Sequence, residues 1–481
     1  MLLIIAFCVF LCVYLLTYAP AWWRRRLLSN IPKLPGDKLS KDALLAVGRS
    51  VGALGPLVRL PGEHGVLVTD PSLAKRLLEH GGGAVVREMT AYERYGGFLG
   101  GSLVLLPQAT PAHRTLRSAL LPLFSVAATR RAHGALLECT QRLLDAISTK
   151  SAAIGSDRAI PLYRLLQNFV IDVTSTSFLS HRLGDAESRR LIALLEEWLD
   201  TPPPLPPTTM QRLWRRFGRG GPIEVDRLHR AYDVLLDKLC AKQADAFTVT
   251  DNTSHPTSVY AALNACGLAT DDEVRNQTAG LLFAGLNSAK ELHFMLSLLA
   301  KHPKLQEEAQ MEVDQKLGAS LPTYESLSKG LDLCSRIVYE ALRLSPGIEH
   351  LRLITTRTMR TPAAAGSNAG ALLPSGTRLV VSPSLLHKHP THYPQQPNDQ
   401  PQPELFTDSA QAARPAGSFL PFSAGAKGCP AGGFALHEMR MLLVRVLQVF
   451  ELREDAAGKG VCCIVRSREE EQEAAEAEPP P

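Results

Sequence analysis

A chain of 481 residues, 45% hydrophobic and 21% charged, has ordinary globular composition and enough apolar content for a sizeable core, which excludes disorder along its whole length. A net charge of only +5, from 52 basic and 47 acidic residues, gives no support to nucleic-acid binding. The nine cysteines are irregularly spaced and include no CxxC pair, so neither a zinc site nor a dithiol centre is indicated; a reducing compartment fits, with most thiols buried as small apolar groups.

From Leu2 to Ala19 no residue is charged, and the run is just long enough for a spanning helix, which needs about 20 mostly apolar residues. Trp22 and Trp23 follow at interface level, then Arg24, Arg25 and Arg26. A cleaved signal peptide would carry its positive charge ahead of the apolar run and end on small residues. The pattern therefore predicts a membrane anchor over residues 1–21, with the positive-inside rule placing the body in the cytosol. Residues 22–36 form a basic, Pro-rich hinge, stiffened by Pro32 and Pro35 before Gly36.

Leu57–Leu60 and Val66–Thr69 read as strands, and mostly helical patterns run from Ser72 to Lys316. Pro202–Pro207 interrupts them as a polyproline-II loop. Behind it, Leu213, Trp214 and Phe217 alternate with Arg212, Arg215 and Arg216, a mix suited to a membrane surface and equally to an exposed helix. Residues 391–404 are a Pro/Gln-rich loop, and 467–481 an acidic tail expected to be disordered. No internal repeat is present.

Chemistry concentrates in Phe422-Ser423-Ala424-Gly425-Ala426-Lys427-Gly428-Cys429-Pro430-Ala431-Gly432. A thiolate that binds iron needs an apolar cover, close backbone approach and a following helix whose positive end faces the sulfur. Phe422 can supply the cover, Gly425, Gly428 and Gly432 the close approach, and the periodic run Phe434–Phe450 the helix. This segment resembles the haem-binding pattern Phe-x-x-Gly-x-Arg-x-Cys-x-Gly of the cytochrome P450 superfamily. Phe422, Gly425 and Cys429 match outright, Lys427 stands for the Arg, and Ala431 for the last Gly.

Other segments fit the same resemblance. Glu340 and Arg343, one helical turn apart and followed by Pro346, look like the family's structural Glu-x-x-Arg pair. Arg352 and Lys427 stand where the family's haem-propionate partners are, as does Arg117, with His113 replacing the Trp of a Trp-x-x-x-Arg helix. In Asn276–Lys301, the run Ala284-Gly285-Leu286-Asn287-Ser288-Ala289 resembles the oxygen-side Ala-Gly-x-Asp/Glu-Thr-Thr, with Asn287 for the acid and Ser288 for the alcohol. Ser288 keeps a hydroxyl that can donate to oxygen; Asn287 cannot act as an acid. After Phe406 the family's Pro-x-Arg-Phe element is missing, and Arg414 is the nearby candidate for its arginine.

An Asn at position 287, Phe434-Ala435-Leu436-His437-Glu438 and Pro403-Glu404-Leu405-Phe406 are similar to the sterol and oxysterol 7α-hydroxylase and prostacyclin synthase branch. The resemblance implies a mainly α fold with a small β lobe over residues 37–466, haem b held by Cys429, and hydroxylation of a sterol or similar lipid. It also implies electrons from NADPH through NADPH–cytochrome P450 reductase, with cytochrome b5 a further partner, at the endoplasmic reticulum membrane. A reductase-independent isomerase or dehydratase of a lipid peroxide, and a haem- or sterol-binding pseudoenzyme, are the alternatives.

Overall fold

The structure, a computed structural model, describes residues 28, 31–33, 55–60, 65–80, 83–89, 96–108, 110–154, 160, 162–200, 223–247, 256–361, 370–393, 400–454 and 463–467. In chain order the elements are β1 (Leu57–Arg59), β2 (Gly65–Val68), α1 (Pro71–His80), β3 (Val85–Arg87), α2 (Pro111–Leu120), α3 (Val126–Ile154) and α4 (Leu162–Phe178). There follow α5 (Asp185–Asp200), α6 (Ile223–Ala246), α7 (Val259–Asn264), α8 (Asp271–Lys301), α9 (Pro303–Lys316) and α10 (Asp332–Leu344). The last are β4 (Leu351–Thr355), β5 (Met359–Arg360), β6 (Leu372–Leu373), β7 (Arg378–Val381), α11 (Asp408–Ala413), α12 (Gly432–Val449), β8 (Phe450–Glu454) and β9 (Cys463–Ser467). They divide into two compact units: Met1–Glu88, Pro107–Ala109 and Arg343–Cys429 in one, Met89–Leu106, Thr110–Leu342 and Pro430–Pro481 in the other.

The first unit is built on a five-stranded sheet of order β1-β2-β7-β4-β3. Only β2 and β7 run parallel, pairing Val66 with Leu379 and Val68 with Val381; the other pairs are antiparallel. Period-two burial shows in β4, where Leu351, Leu353 and Thr355 point in and Arg352 points out. Val66, Val68, Leu353, Leu379 and Val381 form one core with Leu73, Leu77 and Leu78 of α1. Leu73 and Leu77, four apart, lie on one face of that helix. Each such fully buried Leu or Val stabilises by about 1.5–3 kcal/mol.

The second unit is helical, with α8 packed on α4, α6 and β8, and α3 on α4 and α12. The α8 helix starts at Asp271, five residues ahead of the expected Asn276, because Thr270 caps it by accepting from the Glu273 N–H. Asp271, Asp272 and Glu273 then oppose the helix dipole. The Gly285 of the Ala-Gly motif is explained here by packing: a Cβ would overlap the Thr174 hydroxyl of α4, which is itself tied to the Val170 carbonyl at 2.7 Å. Gln306 of α9 uses both ends of its amide on β8, donating to the Leu452 carbonyl at 3.0 Å and accepting from its N–H at 2.7 Å.

The anchor (1–21), most of the hinge (22–36), the polyproline loop with Trp214 and Phe217, part of the Pro/Gln loop and the acidic tail from 468 lie outside the described residues. No helix among the described residues is long and apolar enough to cross a membrane. The packing of α4 on α8 makes one prediction. Gly285→Ala should lower the urea unfolding free energy by about 1–3 kcal/mol, the usual range for overpacking. Thr174→Ser or Thr174→Ala in the same chain should recover part of the loss.

Candidate haem-thiolate site

In the first unit the cysteine segment lies along α1. Gly417 (φ 93°) approaches the Pro71 carbonyl, at the start of that helix, too closely for any Cβ. At the other end of α1, Gly425 (φ 61°) would put a Cβ 2.7 Å from both the Glu79 Cα and the Leu78 carbonyl oxygen. Both glycines thus meet backbone, which cannot swing aside, and both take a conformation that costs other residues roughly 1–2 kcal/mol. Ser423 adopts the same left-handed conformation (φ 60°), and its buried hydroxyl has no partner among the described residues.

Between these points the chain closes on itself. Gly425–Lys427 forms one 3-10 turn, the Gly428 N–H donates to the Gly425 carbonyl at 3.0 Å, and the Cys429 N–H donates to the Phe422 carbonyl at 2.9 Å. Cys429 is left exposed at the end of a loop whose backbone is fixed from both sides. Pro430 has no N–H, so the next backbone donor after the sulfur is that of Ala431. The side chain of Lys427 lies outside the described residues. Arg352 projects from β4 into solvent, while its carbonyl accepts from the Glu88 N–H at 3.0 Å.

The Glu340–Arg343 pair is no surface ion pair, since the two are 0% and 5% exposed on α10. Arg343 donates to the His387 carbonyl at 3.1 Å and stacks 5.3 Å from the centre of the Tyr393 ring. Arg414 lies 4.8 Å from the same ring and 5.1 Å from that of Phe406, and donates to the Leu405 carbonyl. Arg414 therefore reaches the Arg343 network from eight residues beyond Phe406, where the missing Pro-x-Arg-Phe element would have supplied its arginine. The network continues into the cysteine segment: Tyr393 donates to the Ser418 carbonyl at 3.1 Å, and His387 Nε2 accepts from the Leu420 N–H at 2.8 Å.

In the second unit, α2 begins with Thr110 capping the His113 N–H at 3.2 Å. His113 is buried and Arg117, one turn on, is half-buried. On α8, Ala284 and Asn287 are exposed, Ser288 is half-buried and Ala289 is buried. The Asn287 amide donates back to the Phe283 carbonyl at 3.4 Å, so it is held to its own helix. Ala431 stands at the N-cap of α12, which begins at Gly432 rather than Phe434. Two carboxylates that sequence reasoning did not place in a site are withdrawn from solvent here, Glu438 of α12 buried and Glu291 of α8 half-buried with its Oε2 shielded; nothing in their local spacing announces it.

The other thiols separate from Cys429. Burial pushes Cys139 up to about 12 and Cys240 up to about 11, and Cys334 well above the usual range, so none is a ready thiolate. Cys266 is exposed, against the expectation of burial, because it sits in the turn after α7 that Gly267 (φ 67°) closes. Among the described residues no other group of three or more His, Cys, Asp or Glu could hold a metal. Within the first unit, a left-handed glycine cradle, an exposed thiol and the basic side chain of Arg352 fit a thiolate-ligated, carboxylate-bearing haem in their donor chemistry.

Comparison with known proteins agrees with this geometry. The sequence model of the family described as Cytochrome P450 matches residues 31–460. The chain belongs to the cytochrome P450 family, a mainly helical fold with a small sheet region. It is 33% identical over 185 residues to Cytochrome P450 3A13 of Mus musculus, a match covering 38% of this chain and 35% of that protein. It is 25% identical over 458 residues to Cyclooctat-9-en-7-ol 5-monooxygenase of Streptomyces melanosporofaciens, covering 92% and 88%. It is 32% identical over 198 residues to Thromboxane-A synthase of Mus musculus, covering 41% and 34%. The chain thus spans about a third of the length of the first and third of these relatives in its matches.

The cradle is testable. Gly425→Ala should destabilise the protein by at least ~1–2 kcal/mol from the left-handed backbone alone. It should also reduce the share of purified protein carrying haem, read as Soret absorbance per chain. An unchanged haem content would show that α1 yields where the backbone geometry says it does not.

Proposed function

We propose that this chain is a haem-thiolate monooxygenase acting on a sterol or similarly lipophilic substrate. What carries the reading is the fixed loop that presents Cys429, the exposed thiol in the family's haem-binding segment. Haem bound there supplies the activation of dioxygen that hydroxylates an unactivated C–H bond. Cys429 would hold the haem iron through its thiolate, with Phe422 to cover the sulfur, Gly425 and Ala431 to keep the approach open, and Arg117, Arg352, Lys427 and His113 as the residues that would bind the haem carboxylates. Ser288 donates its hydroxyl proton on the oxygen side. Asn287, bound back to its own helix, orients the pocket without acting as an acid. Electrons come from NADPH through a reductase, with cytochrome b5 as a second donor.

Residues 1–21 anchor the body to the endoplasmic reticulum membrane with the catalytic region, 37–466, on the cytosolic side. The uncharged run Leu2–Ala19 and the cluster Arg24–Arg26 support this. A second reading, a reductase-independent isomerase of a lipid peroxide, draws on the lack of an acid at Asn287 and on a relative named as a synthase.

The reduced carbon-monoxide complex should show the red-shifted thiolate band, and Cys429→Ser should lose it while Cys139, Cys240, Cys266 and Cys334 tolerate Ser. A band at the histidine-ligated position in fresh wild type would overturn the assignment. Product formation with NADPH and reductase supports the monooxygenase, whereas rapid peroxide consumption without reductase supports the isomerase. Topology is checked separately: protease added to intact microsomes should digest the body, and full protection, or a glycan at Asn252, would reverse the orientation.

A further inference from the structure

Two imidazoles from distant parts of the sequence meet in the second unit. His133 of α3 and His437, in the second turn of α12, place Nδ1 and Nε2 3.0 Å apart. On its other side His133 Nε2 lies 2.9 Å from the carbonyl oxygen of Pro322, a buried residue of the turn between α9 and α10. Tyr324 of the same turn sits against both imidazoles, its ring centre 4.8 Å from that of His437 and 6.4 Å from that of His133. His437 is 2% exposed, while His133 is half-buried.

The order of donors follows from the carbonyl. A carbonyl oxygen only accepts, so His133 Nε2 carries a proton. In the neutral ring Nδ1 is then bare, which makes His437 Nε2 the donor of the 3.0 Å bond. His437 Nδ1 is left without a proton and without a partner among the described residues. Each neutral ring thus has one defined tautomer, and each ring N–H is used. An added proton finds no such arrangement. On His133 Nδ1 it meets the His437 N–H head on, and moving the His437 proton to Nδ1 leaves an N–H with no acceptor. On His437 it buries a charge without a counter-ion.

The charged surroundings act in the same direction. Arg440 of α12 faces His437 and donates to the Tyr339 hydroxyl at 2.9 Å. Arg130 of α3 lies over the Tyr324 ring and pairs with Glu325 at 3.0 Å. No carboxylate is within ion-pair distance of either imidazole among the described residues. Burial first, then His133 and Arg440, hold His437 down to about 4 from an ordinary 6.5.

We infer that His133 and His437 form a neutral-state latch, which fastens α12 to α3 and to the turn before α10 and opens at its imidazole–imidazole bond when the pair takes up a proton. A second tie sets where the opening stops. Gln448, three turns further along α12, donates to the Gly318 and Ser320 carbonyls, each at 3.0 Å. Its oxygen accepts from Arg445 at 2.8 Å, and Arg445 also donates to Gln141 of α3 at 2.7 Å. This tie joins the same three elements through amides and a guanidinium, which do not titrate in acid. Acid therefore frees the Pro322–Tyr324 end of the turn from α12 and leaves the Gly318–Ser320 end fastened. His133, once charged, keeps its bond to Pro322 and moves with it.

The sign of the linked stability follows. The folded-state value of His437 lies below the ordinary 6.5, so the unfolded chain takes up its proton first. The contribution of the neutral ring is complete above about 6.5 and is lost as pH falls from there through about 4.

The test is hydrogen exchange on the full haem-loaded chain, each rate set against its intrinsic value at that pH. The Thr323, Ser326 and Leu327 amides, which bond within the turn, should lose about tenfold protection or more across that window. Those of Gly318 and Ser320 should keep theirs. His437→Gln has an amide N–H to offer His133 Nδ1 and cannot titrate, so it should hold the neutral-pH protection and lose the pH dependence. His437→Phe should open the Thr323–Leu327 end at every pH. Equal loss at both ends of the turn in wild type, or a His437→Gln profile superimposable on wild type, overturns the latch.

Nitrogen spectra of histidine-labelled wild type decide the tautomers without any variant. At neutral pH both rings should be neutral and protonated at Nε2; a charged His437, or one protonated at Nδ1, overturns the inference. Neither imidazole has a part in the proposed haem chemistry, so these outcomes are independent of the monooxygenase reading.

Discussion

The site depends on two places where backbone meets backbone with no side chain between them: Gly417 against the start of α1 and Gly425 against its end. Helix α1 is no pliable support, because Leu73, Leu77 and Leu78 are locked into the same core as β2, β4 and β7. Interiors packed at crystal-like density transmit such constraints rather than absorb them. The position of the Cys429 backbone is therefore inherited from the sheet, through α1, through two contacts that only glycine can make. The Phe422–Cys429 hydrogen bond then fixes the remaining freedom of the loop.

The same segment is held from its other side by a charged network. Arg343 is 5% exposed, and a buried cation is tolerated only when its donors and its charge are answered. Here the answers are the His387 carbonyl and the face of Tyr393. Arg414 shares that ring, and cation–π contacts of this kind contribute about 0.5–2 kcal/mol each. The chain has thus replaced an arginine at a fixed sequence offset by one that arrives from the end of α11 and lands on the same aromatic ring. What a sequence pattern registers as a missing element, the fold registers as a different route to one contact.

That contrast marks what was legible in the sequence. The tight, glycine-built loop around Cys429 was, because its glycines lie within a few residues of the cysteine. So were β1, β2 and the helix after the cysteine, whose signals are local periodicity. The start of α8 was misplaced because the apolar pattern fades in its first turn, although Thr270 and the three acids behind it were a readable start signal. The role of Gly285 was not legible, since it is set by Thr174, more than a hundred residues earlier. Nor was the burial of Glu438 or the partial burial of Glu291. On a helical wheel Glu291 continues the accessible face of Asn287 and Ser288, and only tertiary packing shields one of its carboxylate oxygens.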